Sequence, residues 1–266
     1  MRVMATVILN PRQEAPSDLP LVLLAPFPFR ARVWEHVAGL VGGDVITVAP
    51  PGFGGETDDA PSLQGYARAV LAALDARGVR RFVVAGNSMG GYAAMCLADL
   101  APERVAGLGL FGTKSTADPD EGAAGRRAMA DAADAGTPVD ELLAPMRDKF
   151  LGASTRASRP DLVAEVDRYL AAVTPAGVAW AQRAMAARPD RTEVLRGLSV
   201  PAVVVYGVED AFMPPESQPI MAEALGVGVI EIESCGHLLP LEAPEASVQA
   251  LRELWDAARS SAGSVQ

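Results

Sequence analysis

The sequence predicts an α/β protein, in which a doubly wound, mostly parallel sheet is interrupted by an inserted helical cap. Three observations carry that reading. Short runs that are apolar on both faces alternate with helix-period segments up to Phe111, as a buried parallel sheet with crossover helices requires. The alternation stops across 115–195, where no strand-like run occurs. It resumes at Pro201 and continues into a last helix-period segment. The predicted organisation is therefore one core, 1–114 with 196–266, split by a helical cap at 115–195.

In chain order, residues 1–13 read first, as a strand rather than a signal peptide, because the apolar run is short, meets Asn10-Pro11 and has no small-residue cleavage site. Further strands are predicted at 19–25, 44–49, 81–86 and 105–111. Ser62 is a plausible N-cap. Leu63, Tyr66, Ala67, Val70, Leu71 and Leu74 then come at helical spacing until Gly78 stops the pattern. A second helix, 89–100, is rich in small residues at its start and is followed by Pro102. Within 115–195, Val163, Val166, Leu170 and Val173 share one helical face, and Val178, Ala181 and Met185 share another. Beyond it come a strand at 201–207, a helix at 216–225, a strand at 227–232 and a helix at 243–259. The small, polar tail 260–266 is expected to fray.

Composition excludes several functions. Of 266 residues, 50% are hydrophobic and 21% charged, which suits one large core and argues against global disorder. A net charge of −10 disfavours nucleic acid or an anionic membrane as partner. No stretch approaches the roughly 18 apolar residues of a membrane span, so the default expectation is a cytoplasmic monomer or homodimer. The two cysteines, Cys96 and Cys235, are too few for a disulfide framework, and Cys96 reads as a small core residue. The two histidines, His36 and His237, show no metal-ligand spacing, so no metal is expected. No dinucleotide or P-loop glycine pattern occurs either, and no cofactor is expected.

Gly86-Asn87-Ser88-Met89-Gly90-Gly91 fits G-x-S-x-G. The pattern alone is weak, but here it follows an apolar strand and opens a small-residue helix. A serine on such a turn is held in strained geometry, and the positions two residues either side must be small. The turn exposes the hydroxyl above the sheet's C-terminal edge and aims the Met89 N–H at a reacting carbonyl. A hydroxyl at neutral pH needs a base. His237 lies in the loop after the last strand run, at the same edge. A third group must orient the imidazole. Asp210, just past the strand 201–207, fills that role better than its neighbour Glu209. The order is Ser88, Asp210, His237. His36, at a helix start, reads as structural or solvent-facing.

Those residues, with the segments LVLLAPFPFRARVW, VAPPGFGGE, VVAGNSMGGYAAM, YGVEDAFMP and ESCGHLLPLEAPE, resemble the capped α/β-hydrolase superfamily, in particular bacterial carboxylesterases and 3-oxoadipate enol-lactonase-like proteins. The resemblance covers nearly the whole chain and implies the α/β-hydrolase fold. It also implies a serine esterase acting on a small-molecule ester or lactone through a Ser88–His237–Asp210 triad. Relatives carry His-Gly before x-Pro after the first long strand, where this chain has Ala25-Pro26-Phe27-Pro28. By position, the second oxyanion donor is the Phe27 N–H, beside that of Met89. Losing one such donor costs about 100- to 1,000-fold in rate. Phe27, Phe29, Met89, Trp180 and Met185 are candidate pocket residues, and Arg126, Arg127 and Arg183 of the cap are candidates for holding a substrate carboxylate. The alternatives are a C–C bond hydrolase, which uses the same triad, and a non-hydrolytic or ligand-binding protein on this fold.

Overall fold

The computed structural model describes residues 7–9, 19–53 and 60–263. Seven strands form one sheet: β1 (Val7–Leu9), β2 (Leu21–Leu24), β3 (Val45–Val48), β4 (Phe82–Asn87), β5 (Val105–Phe111), β6 (Ala202–Gly207) and β7 (Val229–Ile232). Their spatial order is β1-β3-β2-β4-β5-β6-β7. β1 runs antiparallel on the edge beside β3, and β3 through β7 are mutually parallel. The predicted fold class is the observed one. The first-strand expectation falls on β1, and its flanks 1–6 and 10–18 lie outside the described residues.

The central strands are apolar on both sides because both sides are covered. Leu21, Leu23, Val45, Val83 and Ala85 join one core layer with α1 (Glu35–Val41) and the C-terminal helix 244–263. Val22, Leu24, Ile46, Val48 and Val84 join the opposite layer with α2 (Leu63–Asp75) and α3 (Met89–Leu100). This alternation is the period of a strand, where successive side chains leave opposite faces. Each fully buried Leu or Val contributes roughly 1.5–3 kcal/mol, so neither layer can be left open to water.

Local chemistry sets the helix ends. Ser62 caps α2 by accepting the Gly65 N–H at 3.1 Å. Leu71 is half-buried and packs against the core from one edge of the packed face, and Ala73 is buried at the other edge. No strand lies between β5 and β6. That stretch folds as α4 (Asp120–Asp134), α5 (Val139–Arg147), α6 (Ala153–Ser158), α7 (Pro160–Leu170), α8 (Pro175–Ala186) and α9 (Thr192–Arg196). α8 starts with Pro175 at its first turn and Thr174 Oγ1 accepting the Gly177 N–H at 3.1 Å. α4 packs along α8. The chain closes with α10 (Ser217–Leu225), the short α11 (Leu239–Glu242) and α12 (Pro244–Gly263).

One tail expectation is corrected. α12 continues through Gly263, and Ser260 and Ser261 donate their hydroxyls to the carbonyls of Asp256 and Ala257, one turn back. Residues 264–266 lie outside the described residues.

Topology places the chemistry. The chain steps from β2 outward to β3, then returns past β2 to β4. The crevice at such a switch point, beyond the strands' carboxyl ends, is where open α/β sheets bind ligands. The loops after β2, β4, β6 and β7 all reach that edge.

Candidate active site

Ser88 sits between β4 and α3 with φ 54° and ψ −116°. Positive φ is uncommon outside glycine and strained, so the surroundings must hold it. Its N–H donates to the Phe111 carbonyl at 2.9 Å, and its own carbonyl accepts from Gly91 N–H at 2.9 Å and Thr113 Oγ1 at 2.8 Å. The flanking glycines are required by close approach. A Cβ on Gly86 would lie 2.1 Å from the Gly90 carbonyl carbon, and one on Gly90 would lie 2.1 Å from the Leu24 oxygen. The second contact seats the end of β2 against the first turn of α3. Met89, at the first helical position, has one of the N–H groups that a helix leaves without an intrahelical partner.

Asp210 and His237 come together at the same edge. His237 Nδ1 lies 2.8 Å from Asp210 Oδ2, and Asp210 Oδ1 accepts the N–H groups of Phe212 at 2.8 Å and Met213 at 3.1 Å. Glu209 points elsewhere, accepting the N–H and hydroxyl of Ser154. Those bonds hold its carboxyl below the usual range. Asn87, the neighbour of Ser88, donates through Nδ2 to the Phe111 carbonyl at 3.0 Å and the His237 carbonyl at 3.1 Å. One amide thus ties the histidine loop to the serine turn. Ser88 and His237 are 7% and 2% exposed. His36 is solvent-exposed on α1, consistent with its lying outside the site.

Sequence reasoning missed the bracket around His237. Glu242 accepts from Gly236 N–H at 3.0 Å, Leu238 N–H at 3.0 Å and Gly152 N–H at 2.7 Å. It clamps both neighbours of His237 and draws in the chain before α6. A Cβ on Gly236 would lie 2.2 Å from Gly152 N, so only glycine permits that approach. The one signal available was an acidic residue five positions after His237.

The candidate oxyanion and pocket residues are all buried. Phe27 and cis Pro28 form the centre of a tight turn closed by Phe29 N–H to Pro26 O at 2.8 Å. Phe27 packs edge-on against Phe53 at 5.9 Å. Trp180, on α8, packs edge-on against Tyr66 at 6.5 Å. Phe29 belongs to a series of rings that no sequence pattern foretold. Tyr169, Phe29, Phe150, Phe212 and His237 succeed one another at 6.4, 5.0, 5.2 and 4.8 Å. The outer end of that series meets a cleft of about 440 Å³ lined by Arg30, Arg32, Glu35, Glu165 and Arg168.

The three candidate arginines separate. Arg183 is paired at the surface with Asp131 and Asp134, at 2.6 and 2.7 Å, and Arg127 is exposed. Arg126 is turned inward, with Nη1 3.1 Å from Gln182 Oε1 and 3.5 Å from the sulfur of Met185. Both cysteines are buried and free, and burial pushes both thiols up. Among the described residues no group of acidic, histidine or cysteine side chains could hold a metal, and no helix is long and apolar enough to cross a membrane.

A mostly parallel sheet, helices on both faces and a serine on the tight turn after a central strand make an α/β-hydrolase core. Residues 21–250 match the alpha/beta hydrolase family, and the chain belongs to that family. It is similar to a thermophilic esterase from Thermogutta terrifontis, with 29% identity, coverage of 97% of this chain and 99% of that one, and a TM-score of 0.87. It is 30% identical over 246 residues to the dihydrolipoyllysine-residue acetyltransferase component of the acetoin cleaving system of Pseudomonas putida. That match covers 85% of this chain but only 60% of the relative. It is also 25% identical over 206 residues to 3-oxoadipate enol-lactonase 1 of Acinetobacter baylyi, covering 77% of this chain and 76% of the relative.

Proposed function

We propose that the protein is a serine hydrolase that cleaves a small carboxylic ester or lactone through an acyl-enzyme on Ser88. The observation that carries this reading is the strained Ser88 turn at the head of α3, tied through Asn87 to the backbone carbonyl of His237, whose imidazole is bonded to Asp210. In this reading His237 uses Nδ1 toward Asp210, which leaves Nε2 to take the Ser88 proton as Oγ attacks the carbonyl. The Met89 and Phe27 N–H groups receive the oxyanion, and the dipole of α3 favours charge there. His237 then protonates the leaving alkoxide. Water, activated by the same imidazole, releases the acid. Helices α4–α9 act as a cap that keeps bulk water from Ser88 and shapes the acyl pocket with Phe29, Trp180 and Met185.

Support comes also from the similarity to an esterase and an enol-lactonase. Stopped-flow hydrolysis of p-nitrophenyl acetate tests it. The expected result is a burst of one nitrophenolate per active site and a loss of about 10⁴-fold or more in Ser88→Ala. Undiminished turnover in Ser88→Ala would overturn it.

A further inference from the structure

Glu209 stands beside Asp210 in the loop after β6, but the two carboxylates face different ways. Asp210 meets the imidazole, whereas Glu209 turns to the helical segment and accepts the Ser154 N–H at 2.8 Å and the Ser154 hydroxyl. Its own N–H donates to the Cys235 carbonyl at 2.8 Å. One residue therefore joins three stretches of chain: its own loop, the loop that carries His237, and the start of α6. A second carboxylate repeats the arrangement. Glu242 accepts from Gly152 on the side of α6 and from Gly236 and Leu238 on the histidine side. A Cβ on Gly152 would lie 2.6 Å from Glu209 Oε2 and 2.9 Å from Gly236 N. The three stretches thus meet with no room for a side chain between them.

This knot bears on the imidazole through packing. Phe150, two residues before Gly152, is buried. Its ring lies 5.2 Å from that of Phe212, which lies 4.8 Å from the ring of His237. Phe212 follows Asp210 by two positions and donates its N–H to Asp210 Oδ1. Close-packed interiors transmit displacement, so a shift at the start of α6 carries Phe150 with it and removes the backing of the ring beside the base.

Resting on the hydrolase reading, we propose that Glu209 is a positioning residue for the reaction. Through Ser154 it fixes the helical segment against the Asp210 loop, and so keeps Phe212 and His237 aligned for proton transfer. Of two adjacent carboxylates, one orients the imidazole directly and the other holds the wall against which it rests.

Pre-steady-state hydrolysis of p-nitrophenyl acetate by the full-length protein tests this, because burst amplitude counts folded active sites while burst rate reports acylation. Glu209→Ala is expected to lower the burst rate and kcat by about ten-fold, with KM changed by less than about two-fold and amplitude unchanged. Glu209→Gln keeps an oxygen for the Ser154 N–H and restores most of the rate. Ser154→Ala keeps the backbone bond, lowers the rate less, and serves if Glu209→Ala misfolds. Added to Glu209→Ala it has no further effect, since the hydroxyl acts through this carboxylate. A wild-type burst rate in Glu209→Ala and Ser154→Ala, with or without a reduced amplitude, overturns the positioning role and leaves the hydrolase reading intact. No burst from wild type removes the hydrolase reading, and amide hydrogen exchange then judges the tether alone. Faster exchange at 236–238 in Glu209→Ala keeps the tether, and unchanged exchange overturns it as well.

Discussion

Replacing Asp210 by Asn changes a single atom, and the surrounding donors dictate how the new side chain sits. Oδ1 of Asp210 accepts two backbone N–H groups, from Phe212 and Met213, while Oδ2 faces His237 Nδ1. Asparagine has one oxygen to give. Turning its NH₂ toward the two backbone donors would lose two hydrogen bonds, at about 1–3 kcal/mol for each group left unsatisfied. The oxygen therefore stays with Phe212 and Met213, and the NH₂ points at Nδ1. A donor at that place fixes the imidazole proton on Nε2, the atom that must take the Ser88 proton. The fold keeps its bonds, but the base is in the wrong tautomer. The expected loss in kcat/KM is about 10⁴-fold, or roughly 5–6 kcal/mol of transition-state stabilisation. Hydrolysis of p-nitrophenyl acetate across the pH range measures it, with thermal unfolding as control. A folded Asp210→Asn protein retaining more than about a tenth of wild-type kcat/KM would show that the tautomer of His237 is not set by Asp210.

Three more outcomes are expected. Glu242→Ala leaves three backbone donors without their acceptor; because the side chain is half-buried, water relieves part of the cost, leaving a loss of about 3 kcal/mol, or about 6–12 °C in melting temperature. It also lowers kcat by loosening His237, whereas the exposed Glu245→Ala changes neither. Gly86→Ala places a methyl against the Gly90 carbonyl and lowers the melting temperature by about 5–10 °C or prevents soluble expression; a wild-type melting curve would contradict the packing of the serine turn. Burial opposes charge on Asp118, but hydrogen bonds and charge from Arg188 and Arg126 outweigh it and hold the carboxyl well below the usual range. A folded-state pKa below the unfolded value of about 3.9 stabilises above that value and is lost as pH falls through the folded pKa. Denaturant unfolding should therefore show wild type losing its advantage over Asp118→Asn as pH drops below about 4; a constant gap would contradict this.

Much of the fold was legible because its signals are local. Val105–Phe111 reads as a strand apolar on both faces, and it is one. Ser62 and the helix start at Met89 come from capping and from the small residues of the serine turn. The candidate site was legible where chemistry needs a rare residue in a fixed place: one serine between glycines, one of two histidines, one aspartate past a strand. The parts that stayed hidden depend on contacts across long stretches of chain. Glu242 acts through three backbone N–H groups, one of them 90 positions away. No sequence motif marks Asp118, and folding brings Arg188 to it from 70 positions on. Phe150 and Phe212 carry no periodic pattern, and only the fold lines them up between Phe29 and His237. Arg183 and Arg126 were indistinguishable in sequence, and their helix faces decided that one meets the surface and the other the interior.

Trapping the covalent intermediate decides whether Ser88 is the nucleophile. Wild type is mixed with p-nitrophenyl acetate, quenched in acid within the burst phase, digested and analysed by mass spectrometry. One acetyl group is expected on the peptide containing Ser88, absent from Ser88→Ala and accumulating in His237→Ala only at a greatly reduced rate. Turnover by wild type with no acetyl on Ser88, or with the acetyl on another residue, would contradict an acyl-enzyme at this serine.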